Sequence, residues 1–191
     1  MSSSRPSLQV AVVMRRERVP GAMSRWQPWR WVLHDVVGHD LVPHADHFGT
    51  VPQCLRQTED EQIWLHPGFT VELFKDDPEG YYLNLTSPDP CWFVLWRMEE
   101  EPAMADETMA VPTMVSLSYH DAGRWLDAQE NVDQVKAPAD VVAWMADFAQ
   151  THWVEETKRR KRPESFKGLQ DRFGNPASVS TDKLRGGQHG Q

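Results

Sequence analysis

Pro90-Cys91-Trp92-Phe93-Val94-Leu95-Trp96-Arg97-Met98 is apolar on both of its alternating faces. In an extended chain Cys91, Phe93 and Leu95 point one way and Trp92, Val94, Trp96 and Met98 the other, so a strand here is covered on both sides. It belongs in the middle of a sheet. Its shortness, its aromatic content and the preceding Pro90 favour a strand over a helix. The run describes scaffold and carries no chemistry of its own.

Upstream, 62–66 reads as a short strand closed by Pro67-Gly68. Phe69, Val71 and Leu73 then alternate, Asp76-Asp77-Pro78-Glu79-Gly80 reads as a turn, and Tyr81, Leu83 and Leu85 alternate before Ser87-Pro88-Asp89-Pro90. The spacing predicts an antiparallel meander leading into the central run. Further out, Leu8, Val10, Val12 and Met14 alternate against Gln9, Ala11, Val13 and Arg15, giving a first strand that Pro20-Gly21 turns. A second strand over 26–37 puts Trp29, Trp31, Leu33 and Val37 on one face, with Pro28 confining it to an edge or a strand start. Residues 38–61 lack periodicity and read as a long loop or a set of short pieces. Downstream, 99–107 is an acidic loop and Thr113, Val115, Leu117 and Tyr119 alternate as another strand. Asp121 is placed to cap a short helical turn holding Arg124 and Trp125. Val141, Trp144, Met145, Phe148 and His152 form one helical stripe over 138–153.

These elements predict an α+β fold: a mainly antiparallel sheet of six or seven strands, curled toward a half-barrel, with one long C-terminal helix packed on it. Composition divides the chain into a disordered 1–7, a single globular domain over 8–153 and a basic, mostly disordered tail over 154–191. Residues 1–25 carry five Arg against one Glu, 26–153 six basic against 22 acidic residues, and 154–191 nine against five. A body of net −16 argues against a nucleic-acid groove on the domain, while the basic tail suits an acidic surface. The longest apolar run is the six residues 91–96, far short of the ~20 that span a bilayer. Cys54 and Cys91 have no metal-ligand spacing and fit ordinary thiols in a reducing compartment, so a cytoplasmic location is expected.

Three groups of residues are candidates for function. Arg25, Trp26 and Arg30, with Arg124 and Trp125, make an aromatic and cationic set suited to gripping a partner; of Trp26, Trp29 and Trp31, alternation puts the last two in the core and leaves Trp26 exposed. His34, His39, His44 and His47, with Asp35, Asp40 and Asp46 within the same 14 residues, are metal-ligand types in no pattern that enforces a site. The basic run 158–162 is the third, a solvated arm or an anionic-surface patch. The residues present no Gly-rich phosphate loop and no local signature of a nucleophile with its base, and they name no cofactor.

Trp26-Gln27-Pro28-Trp29-Arg30-Trp31-Val32-Leu33-His34-Asp35-Val36-Val37 and 115–128, which contains Ser118-Tyr119-His120-Asp121-Ala122-Gly123-Arg124-Trp125, resemble an uncharacterised proteobacterial family over roughly 8–153. Members of that family are usually encoded beside molybdenum-dependent formate dehydrogenases, and many carry the name molybdopterin-guanine dinucleotide biosynthesis protein A. The resemblance implies an accessory protein of formate dehydrogenase maturation that binds formate dehydrogenase subunits or the molybdenum cofactor, and it supplies no catalytic residues. The inherited name implies instead a nucleotidyltransferase with a doubly wound α/β fold. Here the first strand runs into Arg15-Arg16-Glu17-Arg18 without a Gly-rich loop and a meander follows, so the non-catalytic accessory reading is preferred. The transferase and a small metal-binding module are the alternatives.

Overall fold

A computed structural model describes residues 5–38, 48–100 and 108–153. Seven strands and three α-helices follow in the order β1 (Ser7–Arg18), β2 (Trp29–Gly38), β3 (Gln53–Gln57), β4 (Glu61–Glu72), α1 (Pro78–Leu85), β5 (Cys91–Glu99), β6 (Met109–Ser116), α2 (Tyr119–Asp127), β7 (Asn131–Lys136) and α3 (Ala139–His152). They form two antiparallel sheets, ordered β2-β1-β4-β3 and β6-β5-β7, and neither closes. Among the described residues the single six- or seven-stranded sheet with one helix is thus replaced by two open sheets and three α-helices.

The doubly apolar run 91–98 lies in β5, the centre of the three-stranded sheet, with Cys91 to Leu95 all buried. Its two faces meet different partners. Trp92 and Val94 join the main core with Val10, Val12 and Met14 of β1, Tyr81 of α1, and Val141, Met145, Phe148 and Ala149 of α3. Cys91 and Phe93 are covered by Ala122 and Trp125 of α2 and by Val132 of β7. β1 is likewise buried on both faces, its Ala11 and Val13 packing with Leu65, Ile63, Val37 and Phe48. Each of these large side chains stabilises the fold by roughly 1.5–3 kcal/mol relative to exposure, which makes β1 and β5 the two axes of the molecule.

Several expectations are corrected. The meander over 62–86 is one long strand followed by a helix. β4 runs straight through Pro67-Gly68, where these two residues of β4 oppose the single Ala11 of β1 and Gly68 adopts φ +95°, a bulge that lets the ladder continue. Residues 81–85 lie in α1, because the Asp77 carboxylate caps the helix by accepting from Gly80 N at 3.3 Å and Pro78 occupies its first turn. β2 begins after Pro28, and it is an edge strand. A bulge at His34 inserts one residue between the Met14↔Leu33 and Val13↔Asp35 pairs, so Val36 turns into the main core and Val37 out of it. Tyr119 opens α2 instead of ending a strand, and the cap of that helix is Ser118, not Asp121. β3 lies within the expected long loop, and β7 had no counterpart in the sequence reading. At the N-terminus, Arg5 pairs with Glu72 at 3.2 Å and Ser7 begins β1. The acidic residues 101–107 and the basic tail 154–191 lie outside the described residues.

Candidate docking surface

The connection between β1 and β2 is a closed, hydrogen-bonded tip. Val19 N donates to Pro28 O at 3.0 Å across its neck. Gly21, at φ +81°, turns the chain into a 3₁₀ turn over Ala22–Arg25. Ser24 then donates to Gly21 O from both its N (3.2 Å) and its Oγ (2.7 Å). Trp26 N and Gln27 N both donate to Met23 O at 3.0 Å. Met23 lies in this turn and Trp26 is its capping residue. They are 63% and 87% exposed, and Trp26 is the most exposed large apolar side chain among the described residues.

Below the tip the charges are matched pairwise. Arg30 holds Glu17 Oε1 from Nε at 2.8 Å and from Nη2 at 2.5 Å, and Arg15 Nη2 holds the other Glu17 oxygen at 2.7 Å. Glu61 lies between Arg15 (3.9 Å) and Arg56 (3.7 Å), and Arg18 Nε reaches Asp60 at 2.7 Å. Arg16 and Arg18 stand over the Trp29 ring, 4.7 and 4.9 Å from its centroid, while Trp31 is half-buried against the main core. Exposed pairs of this kind are worth only about 0–1 kcal/mol each; their effect here is to fix the neck and cancel its carboxylates. Arg25 has no ion-pair partner among the described residues. Of the five residues singled out in the sequence, Arg25 and Trp26 are therefore free to contact a partner, and Arg30 is engaged at the neck. Met23 was missed, since one methionine in a turn has no periodicity to betray it.

Arg124 and Trp125 sit elsewhere, on α2. Ser118 Oγ accepts from His120 N (3.1 Å) and Asp121 N (3.3 Å) and donates to the Asp77 carboxylate. The same carboxylate lies 2.6 Å from His120 Nδ1, so one aspartate ties the N-termini of α1 and α2 together. Gly80 permits this approach: an added Cβ would press on Ser118 Oγ and lie 2.7 Å from both Asp77 carboxylate oxygens. Asp121 accepts from Ser116 Oγ at 2.6 Å and pairs with Arg124. The serine hydroxyl thus bonds a carboxylate and two backbone amides instead of the imidazole, which is a capping arrangement. Trp125 is half-buried over Cys91 and Phe93. No hydrogen bond, ion pair or ring contact among the described residues joins Arg124 or Trp125 to the hairpin tip.

Other chemistry-bearing groups are absorbed by the scaffold. Asn84 Nδ2 donates to Cys91 O (2.8 Å) and Leu117 O (2.9 Å), and its Oδ1 accepts from Cys91 N (3.0 Å). Burial, and secondarily the Asp89 carboxylate, push the Cys91 thiol above its ordinary pKa, so it stays protonated at neutral pH. Beside it lie two shallow cavities, ~250 and ~190 Å³, that share Phe93, Tyr119 and Gln134. Burial pushes Tyr81 up to about 12, with Asp77 and Asp121 adding to the rise, against a hydrogen bond from Phe74 N. His34 is the exposed bulge residue of β2, and His39, His44 and His47 lie outside the described residues. Among the described residues, no group of three His, Cys, Asp or Glu is arranged to hold a metal ion. No helix among them is long and apolar enough to cross a membrane.

Fold and surface together define an α+β protein of two open antiparallel sheets that presents a hydrogen-bonded apolar and cationic tip. The chain belongs to the family described as "Protein of unknown function (DUF3305)", whose model matches residues 9–162. No curated protein and no solved structure matches it.

Proposed function

We propose that this is a non-catalytic accessory protein in the maturation of a molybdenum-dependent formate dehydrogenase, and that it acts by binding a partner protein through the β1–β2 tip. The enzyme context rests on the family resemblance of 26–37 and 115–128; the mode of action rests on the exposure of Trp26, held on a hydrogen-bonded turn beside an unpaired Arg25. Trp and Arg are enriched among the residues that anchor protein interfaces, which is the chemistry that Trp26 and Arg25 present together. The nucleotidyltransferase reading is less well supported, because both sheets are antiparallel throughout and β1 ends in the arginine-rich hairpin where a phosphate-binding loop would stand.

A tagged full chain used as bait in cells growing on formate, with the purified protein also titrated with GTP and Mg²⁺ by calorimetry, tests this. Recovery of formate dehydrogenase subunits, lost with Trp26→Ala, without nucleotide heat is the expected result. Stoichiometric GTP binding with no recovered subunit would overturn it in favour of the transferase.

A further inference from the structure

We propose that Met23 and Trp26 insert as a pair into one apolar pocket of the partner protein, and that Arg25 meets carboxylates on the rim of that pocket. This deepens the partner-binding reading above and rests on it. Met23 lies in the 3₁₀ turn over Ala22–Arg25 and Trp26 is the residue that caps it; both are exposed, at 63% and 87%, so the tip offers two large apolar side chains three residues apart. The tip is already ordered by the bonds from Ser24, Trp26 and Gln27 and by the closed neck, so docking costs little additional ordering. An unbranched thioether beside a rigid indole fills an irregular pocket well.

The sign of the rim follows from the local charge. Glu17, Asp60 and Glu61 at the neck are each held by arginines, and Arg25 is the one charged side chain within 20–28, so the tip itself is cationic. A flat anionic bilayer is the less suitable partner: it would face the body, where 26–153 carry 22 acidic against six basic residues, whereas a pocket rim meets the tip alone.

Calorimetry of the full chain against the purified catalytic subunit of formate dehydrogenase, at low and physiological salt, reads this directly. Met23→Ala and Trp26→Ala are each expected to weaken binding about tenfold or more. Arg25→Glu is expected to weaken it by a similar factor and to reverse the sign of its salt dependence. Leu126→Ala, an exposed apolar residue on α2 (58%), leaves it unchanged. All of these positions are exposed, and matching melting curves confirm that the variants fold. If Trp26→Ala abolishes binding while Met23→Ala and Arg25→Glu bind like the parent, the paired insertion is wrong and the partner-binding reading stands. Absence of any binding by the parent chain overturns both. Binding to phosphatidylglycerol vesicles, reduced by the tip variants and not matched by binding to the subunit, replaces the protein pocket with a membrane.

Discussion

His66 of β4 lies opposite Val12, is 3% exposed, and has no hydrogen-bond partner for Nε2 among the described residues. Burial lowers its pKa from 6.5 to about 4. The unfolded chain therefore takes up a proton near pH 6.5 that the folded chain refuses until about pH 4, so stability is retained at neutral pH and falls as pH drops through that window. At about 1.4 kcal/mol per pH unit the loss reaches up to ~3 kcal/mol at pH 4. Urea unfolding at pH 7, 5.5 and 4 should show a steeper decline in the parent than in His66→Gln; equal declines would assign the effect to carboxylates. Gly80 offers a second check, because an added Cβ meets Ser118 Oγ and the Asp77 carboxylate, both fixed by helix caps. Gly80→Ala should cost about 1–3 kcal/mol in the same assay, as overpacking does. At this scale the exposure of Trp26 was legible, since it lies before Pro28 and so ahead of the strand. The core position of His66 was not, because its neighbours Pro67-Gly68 read as the end of a strand.

α1 shows how an element is misread when two periods fit the same residues. Tyr81, Leu83 and Leu85 alternate as in a strand, but the helix buries Gly80, Tyr81 and Asn84 and exposes Leu83. The deciding signal was Asp77-Pro78, a capping residue followed by a proline in the first turn, which the alternation obscured. β7 escaped notice because Asn131-Val132-Asp133-Gln134-Val135-Lys136 offers only two apolar residues at a sheet edge. The two bulges, at His34 and at Pro67-Gly68, each break the alternation that locates strand faces. Asn84 joins three elements, since it bonds both backbone groups of Cys91 at the start of β5 and the Leu117 carbonyl just before α2. Asn84→Ala would leave a buried N–H and two buried carbonyls short of a partner, and should cost about 3 kcal/mol or more. A loss under 1 kcal/mol in urea unfolding would mean that water replaces the amide.

At the level of the whole molecule, the central place of β5 was readable because a run apolar on both faces has no other stable position. Its division into two sheets was not, since nothing in the local pattern distinguishes one curled sheet from two that share a core. The charge map was fully legible, and it isolates the hairpin tip as a cationic feature on an acidic body. The proposed docking therefore belongs to the tip and not to α2, where Trp125 packs on Cys91 and Phe93 and Arg124 is held by Asp121. Hydrogen exchange of the full chain, alone and with excess purified formate dehydrogenase catalytic subunit, tests this most directly. The expected result is slowed exchange over 20–28 with 119–127 unchanged. Slowing confined to 119–127, or no change anywhere, would contradict docking through the tip.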